Sequence, residues 1–264
     1  REFHKEPTLV PLGGEIVGGN KVLLIAGPCA VESHEQLLKT AQHVKRLGAT
    51  ALRGGAYKPR SSPFSFQGLG AEGLRILAEV KREVGLPIVS EVTDPHYLDA
   101  MVDVVDVLQV GARNMQNYTL LRAVGQCAQP IILKRGLAAT MSEWLQAADY
   151  VLAAGGNQLM LCERGIRTFE TATRFTLDVA SVGIIKRSSH LPVLVDPSHA
   201  AGHYQLVPML ARAAVAAGAD GLLIEVHPDP ANAMSDGLQS LTFNDSERLV
   251  KELRAIAAAV GREL

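Results

Sequence analysis

The sequence predicts an α/β fold of the closed (β/α)8 kind, a TIM barrel preceded by a short N-terminal β-hairpin. Three observations carry that expectation. Eight short β-rich runs recur along the 264 residues. Each is followed by a segment of helical periodicity, and several are almost continuously apolar, as strands covered on both faces should be. The runs are VLLIA (22–26), ATALRGG (49–55), PIVSEV (87–92), DVLQVG (106–111), PIILKR (130–135), QLMLCE (158–163), PVLVD (192–196) and GLLIEV (221–226). Eight strand–helix units over about 240 residues is the count for the barrel. An open doubly wound sheet is the alternative. It would more often show a glycine fingerprint after its first strand, and GPCAVES is not G-x-G-x-x-G.

TLVPLGGEIVGGN (8–20) reads as a hairpin ahead of the first barrel strand. Residues 1–20 are therefore taken as an extension and 21–264 as the barrel. Ser33 with Gln36 reads as a capping box before Leu37, Leu38, Ala41, Val44 and Leu47, and Gly48 stops that helix. Thr140 with Glu143 repeats the device, and Gly155–Gly156 ends the run. Leu249, Val250, Leu253, Ile256, Ala257 and Val260 mark the last helix, closed by Gly261.

Composition excludes several classes of function. Hydrophobic residues make up 47% of the chain, enough for a large core, and the net charge of −1 gives no footprint for nucleic acid or an anionic membrane. No apolar stretch is long enough to span a bilayer, and no signal peptide is visible. Cys29, Cys127 and Cys162 are odd in number and widely spaced. They fit a reducing cytosol and a cytoplasmic protein better than a disulfide scaffold.

A barrel carries its chemistry where strands run out into the following loops. Those positions hold Cys29; Arg53, Lys58 and Arg60; Glu91; Arg113; Lys134; Glu163 and Arg164; Asp196 and His199; Glu225; and Asp236 further along the last loop. Arg53, Lys58, Arg60, Arg113, Lys134 and Arg164 are six cations aimed at one mouth of a nearly neutral protein. Singly each would pass for a solvated surface charge. Together they suit two phosphates and a carboxylate, with arginine supplying a planar fork and lysine a point charge. Lys134 and Arg135 are neighbours on a strand and point to opposite sides, so only one can readily enter the mouth.

A second set is Cys29, His199, Glu225 and Asp236, contributed by the first, seventh and eighth strand ends, which closure brings near one another. One thiolate, one imidazole and two carboxylates suit Mn, Fe, Co or Zn without choosing among them. Alone, Cys29 would read as a small buried hydrophobe and Asp236 as a turn or cap before Gly237. Cys127 and Cys162 are expected merely to pack, and His203 to cap or lie at the surface. His227 is open between supporting the site and turn chemistry. His4, His34, His43, His96 and His190 have no constellation around them.

The motifs IAGPCAVES, LRGGAYKPRSSPFSFQGLG, QVGARNMQN, ILKRG, LCERGIRTFE, VDPSHAAG, IEVHPDP and SDGLQS resemble those of the 3-deoxy-D-arabino-heptulosonate 7-phosphate (DAHP) synthases. The short-chain type I beta group, related to the 3-deoxy-D-manno-octulosonate 8-phosphate synthases, is the nearest pattern. The likeness runs from about residue 20 to the final helix. It implies a cytoplasmic transferase of the shikimate pathway that condenses phosphoenolpyruvate with erythrose 4-phosphate. Carried over by motif, Cys29, His199, Glu225 and Asp236 would hold a divalent metal ion. Arg53, Lys58 and Lys134 would meet the phosphoenolpyruvate carboxylate, Arg113 and Arg164 its phosphate, and Arg60 and Ser61 the aldose phosphate. Glu91 would position the attacking water, Lys134 would also serve proton transfer, and His199 and Lys58 would stand at the reacting centre.

K-P-R-S-S at residues 58–62 lacks the asparagine of the octulosonate pattern K-A-N-R-S-S, so erythrose 4-phosphate is expected and arabinose 5-phosphate is the alternative. Two other classes stay open from the residues. A Schiff-base aldolase would use Lys134 without metal, and a non-catalytic barrel would only bind phosphate. Relatives imply a homodimer or homotetramer. REFHKEPTLVPLGG resembles the segment that joins a regulatory domain to such a barrel, and the chain begins at Arg1. Both a core whose sensor has been removed and a naturally short enzyme fit that start.

Overall fold

The computed structural model describes residues 4–60 and 62–264. Two antiparallel strands, β1 (Val10–Leu12) and β2 (Glu15–Val17), form the hairpin in the register Val10↔Val17. Eight parallel strands then close on themselves: β3 (Leu23–Gly27), β4 (Ala51–Arg53), β5 (Ile88–Val92), β6 (Val107–Val110), β7 (Ile131–Lys134), β8 (Leu159–Glu163), β9 (Val193–Val195) and β10 (Gly221–Glu225). β10 bonds back to β3 in the register Glu225↔Gly27. Every predicted run overlaps one strand, and closure rules out the open doubly wound sheet.

The helices are α1 (His34–Leu47), α2 (Ala71–Val84), α3 (Leu98–Val102), α4 (Tyr118–Gly125), α5 (Met141–Ala153), α6 (Ala180–Ser188), α7 (Pro197–Ala201), α8 (Val207–Ala216) and α9 (Phe243–Ala259). Thr140 and Glu143 make both halves of a capping box at α5. At α1 only half of the box forms. Ser33 accepts from the Gln36 backbone, but Gln36 Oε1 reaches past it to the N–H of Glu32 at 3.4 Å. No helix among the described residues is long and apolar enough to cross a membrane.

Two apolar layers share the strands. The outward side chains pack beneath the helices. The inward ones, among them Ile25, Ala51, Val89, Ile132, Leu194 and Leu223, fill the barrel together with Val10, Leu12 and Val17 of the hairpin. The hairpin closes the N-terminal end. Gly13 lies against Thr50 and Pro87, and the N–H of Thr8 donates to His190 O at 2.8 Å.

At the other end, strand alternation builds the mouth. Two residues beyond inward Ala51, Val89, Ile132, Cys162, Leu194 and Leu223 come Arg53, Glu91, Lys134, Arg164, Asp196 and Glu225. Side chains two apart on a strand share a face, so one row of polar groups caps the apolar filling of the barrel. Arg135 takes the opposite face, as the alternation predicts. Its guanidinium lies outside the barrel between Glu163 (2.9 Å), Asp178 (2.8 Å) and the Trp144 ring. Glu163 therefore faces away from the mouth too, despite its place at a strand end.

Candidate active site

Asp196, fully buried beneath the mouth, organises its floor. Lys134 Nζ is 2.5 Å from Asp196 Oδ2, and His199 Nδ1 is 2.7 Å from the same oxygen. The His199 backbone N–H donates to Oδ1 at 2.9 Å, so Asp196 also caps α7. Burial alone would raise the Asp196 pKa, but His199, Lys134 and Arg53 hold it well below the usual carboxylate range. Nδ1 of His199 is thereby the donor, which leaves the Nε2 lone pair facing inward. Burial keeps His199 below the ordinary imidazole value despite the neighbouring Asp196 and Glu225 carboxylates.

Ligand atoms of Cys29, His199, Glu225 and Asp236 all lie within 4.8 Å of one another. Cys29 Sγ donates to Asp236 Oδ2 at 3.0 Å. Burial, reinforced by Glu225, pushes the thiol pKa up to about 12. Glu225 is fully buried. Its Oε2 accepts from Gln239 Nε2 at 2.7 Å, whereas Oε1, although 3.0 Å from Arg53, accepts no hydrogen bond. Asp236 has φ of 53°, the one non-glycine residue in the left-handed region among those described, a conformation that costs energy and concentrates at functional sites. A buried carboxylate oxygen without a hydrogen bond, facing a thiol, an imidazole and a second carboxylate, fits a divalent cation.

Beside this cluster is a cavity of about 240 Å³, lined by Lys58, Arg60, Ser62, Ser65, Glu91, Arg113, Arg164, Arg174, Phe175, His199 and Asp236. Lys58 joins the two regions, since its Nζ donates to Cys29 Sγ at 3.0 Å and Cys29 O at 3.2 Å. Burial works against the Lys58 charge, but Cys29 and Glu91 outweigh it and raise the pKa. Arg164 stacks on Phe175, 4.1 Å from the ring centre, and burial lowers its pKa. Arg60 donates to Ser235 Oγ at 2.6 Å. Gly111 makes room for Glu91, because a Cβ there would sit 1.9 Å from Glu91 Oε1. Arg53 and Lys134 are buried beside Asp196, with Arg53 NH1 at 4.0 Å and Lys134 Nζ at 2.5 Å from Oδ2. Two nitrogens of Arg53, Nε and NH1, are buried without hydrogen-bond partners.

Residues 8–260 match the model of the family described as the DAHP synthetase I family. The chain belongs to that family. A phospho-2-dehydro-3-deoxyheptonate aldolase of Thermotoga maritima is 49% identical over 99% of this chain and 77% of its own length. A crystal structure of phospho-2-dehydro-3-deoxyheptonate aldolase (DAHP synthase) from Thermotoga maritima superposes with a TM-score of 0.97 at 49% identity, covering 100% of this chain and 77% of that one. A 2-dehydro-3-deoxyphosphooctonate aldolase of Acidithiobacillus ferrooxidans is more distant, 36% identical over 88% of both chains.

For this DAHP synthetase I family member, the fold gathers Cys29, Arg53, Lys58, Arg60, Glu91, Arg113, Lys134, Arg164, His199, Glu225 and Asp236 at one barrel mouth. Ser61 lies outside the described residues. Cys127 and Cys162 pack away from the cluster, Cys127 against Ala123 O and Cys162 within the barrel filling. His203 caps the turn at Tyr204. His227 takes part in turn contacts of the last loop. Its Nδ1 accepts from the Asp229 N–H at 3.0 Å, and its Nε2 meets Glu32 at 3.2 Å, which in turn holds the Met234 N–H near Asp236. The sequence alone does not single out Arg174, Phe175 or Gln239. It does carry a signal for α7, where Asp196 followed by Pro197 is an N-cap with proline at the first helical position.

Proposed function

We propose that this chain is a metal-dependent DAHP synthase, a transferase that joins phosphoenolpyruvate to erythrose 4-phosphate and releases inorganic phosphate, the first step of the shikimate pathway. The observation that carries this reading is the 3.0 Å contact between Lys58 Nζ and Cys29 Sγ. It sets an anion-binding loop directly against a four-donor cluster, in a chain that matches the family over residues 8–260. The chemistry belongs to residues 21–264, with residues 1–20 as an extension.

Cys29, His199 Nε2, Glu225 and Asp236 hold a divalent ion of Mn, Fe, Co or Zn. Such an ion supplies Lewis acidity toward the aldehyde oxygen of the aldose. Arg53, Lys58 and Lys134 take the phosphoenolpyruvate carboxylate. Arg53 Nε and NH1, buried without a hydrogen bond, support that role, because buried donors without acceptors are costly unless a ligand supplies them. Arg113 and Arg164 take its phosphate, and Arg60 with Ser61 takes the aldose phosphate at the outer end. Held in line, carbon 3 of phosphoenolpyruvate bonds to the aldehyde carbon and positive character develops at carbon 2. Water adds there, and the bond from carbon 2 to the phosphate oxygen breaks. Glu91 orients that water, and Lys134 gives a proton to the former aldehyde oxygen and regains one from the adding water. The cations act by orientation and by stabilising charge in a site poor in water.

Lys134 is ion-paired with buried Asp196, whereas an amine nucleophile gains from an apolar pocket or a cationic neighbour; this favours the metal-assisted route over a Schiff base. The test is phosphate release from phosphoenolpyruvate with erythrose 4-phosphate or arabinose 5-phosphate, each with EDTA and with added Mn²⁺. Turnover with erythrose 4-phosphate that EDTA abolishes and Mn²⁺ restores is expected. Preference for arabinose 5-phosphate would assign the octulosonate reaction, and indifference to EDTA would remove the metal.

A further inference from the structure

Arg174 stands on the long loop between β8 and α6 and lines the cavity. Its NH1 group donates to Asp236 Oδ1 at 3.1 Å and to Gln239 Oε1 at 2.8 Å. Gln239, only 2% exposed, passes the contact on, since its Nε2 donates to Glu225 Oε2 at 2.7 Å. The same loop is tied to α7, which carries His199. The N–H groups of Arg174 and Phe175 donate to Ala201 O and Ala200 O at 3.2 and 3.0 Å. Gly202, at φ of 71°, permits that approach, because a Cβ there would lie 2.4 Å from Arg174 Cβ. One loop residue thus reaches two of the four clustered donors through hydrogen bonds, and its own backbone is fastened to the helix of a third.

We infer that Arg174 and Gln239 are positioning residues for the cation site, and that they make its affinity for a divalent ion depend on the seating of the β8–α6 loop. The inference rests on the metal reading above. The amide of Gln239 explains how it works. With Nε2 on Glu225 Oε2, that oxygen is committed and Oε1 is left facing the other donors. The amide keeps this orientation because Arg174 occupies its oxygen. Without the guanidinium the buried amide oxygen loses its donor, and only the contact to Glu225 still holds the side chain. Asp236 depends on the same group. Its left-handed backbone is an unfavourable one, and the Arg174 contact at Oδ1 orients Oδ2 toward Cys29. Polar partners that orient metal-binding side chains affect affinity by about 10–100-fold.

The test is a titration of the metal-free protein with Co²⁺, followed by the thiolate-to-cobalt charge-transfer absorption that ligation by Cys29 produces. The parent should show the band and Cys29→Ala should lack it. Arg174→Ala and Gln239→Leu should each show the band with affinity lowered about 10–100-fold. Far-ultraviolet circular dichroism of the metal-free variants should match that of the parent. Arg174→Lys keeps the stem and one charge, but its Nζ ends one bond short of the NH1 position that meets both acceptors, so its affinity should fall between. Arg174→Gln serves the same comparison if Arg174→Ala does not fold. Parent-like Co²⁺ affinity in Arg174→Ala or Arg174→Gln would overturn the inference while leaving the cation site intact. Parent-like affinity in Arg174→Lys would overturn the two-acceptor argument. A parent protein without the band would overturn the metal reading and this inference together.

Discussion

Replacing Asp196 with Asn tests whether the floor of the mouth is held by charge. The change is nearly isosteric, so packing is preserved while the partners are not. Asp196 Oδ1 accepts one N–H, and Oδ2 faces Lys134 Nζ and the His199 ring. An amide nitrogen at either position would meet a donor. At least one donor is therefore left unpaired, and Lys134, about 4% exposed at its side chain, loses its buried counter-charge. Removing one partner of a buried ion pair costs about 3–5 kcal/mol. For a domain of this size that lowers Tm by about 6–20 °C. The assay is thermal unfolding of the metal-free protein, parent against Asp196→Asn, at pH 7. A Tm within about 4 °C of the parent, equivalent to roughly 1 kcal/mol, would refute the ion-paired floor.

The pH dependence supplies a second check on the same variant. The folded Asp196 pKa is depressed, so its contribution is fully present above the unfolded value, about 3.9. It is lost only as pH falls through the lower folded value. The stability gap between parent and Asp196→Asn should therefore be as large at pH 5 as at pH 7 and narrow only below about pH 4. A gap that closes between pH 7 and pH 5 would point to another titrating group and defeat the assignment.

Three further outcomes are expected. Gly111→Ala should displace the Glu91 carboxylate, because the new methyl falls 1.9 Å from Oε1. Its kcat should drop toward that of Glu91→Ala, roughly 100-fold or more, with the fold retained, and an unchanged kcat in steady-state assays would take Glu91 out of the chemistry. Arg60→Ala should chiefly raise KM for the aldose phosphate and Arg113→Ala that for phosphoenolpyruvate, each by roughly ten- to a hundredfold, as loss of a charge-assisted hydrogen bond implies. Equal effects on both substrates would undo the division of the cavity. Cation binding should release about one proton near pH 7, since Cys29 begins as a thiol bonded to Asp236 and must bind as thiolate. Calorimetry in buffers of different ionisation enthalpy measures this, and a value near zero would exclude the thiolate as a ligand.

Much of this was legible in the sequence for identifiable reasons. Parallel strands covered on both faces leave near-continuous apolar runs, so all eight barrel strands could be located, and strand ends were read by position, with the period of two applied at one of them. The same period separated Lys134 from Arg135. Applied one strand further, it also turns Glu163 outward, where Arg135 meets it. What stayed hidden depends on contacts between loops. Arg174 belongs to a segment with no hydrophobic period, and nothing local indicates that it will meet Asp236 and Gln239 some sixty residues later. The half-formed box at Ser33 has a similar cause. The sequence names both partners, but the path of the chain before the helix offers the Glu32 N–H to Gln36 instead.

The charges of the mouth bear on how a nearly neutral protein would hold the two multiply charged anions of the proposed reaction. Arg53, Lys58, Arg60, Arg113, Lys134, Arg164 and Arg174 are seven cations, set against the carboxylates of Glu91, Asp196, Glu225 and Asp236. That leaves three positive charges in one small volume. A divalent cation taken up with loss of the Cys29 proton adds only one more. The sum approaches the charge of a phosphate with a carboxylate plus a second phosphate, each phosphate carrying about −1.5 to −2 near neutral pH. Either anion alone would leave the site with excess positive charge. The pairing of Arg53 with Glu225 and of Lys134 with Asp196 lets that excess be carried before substrate arrives. In the proposed reaction the floor carboxylates would thus hold the cations inward before both anions are present.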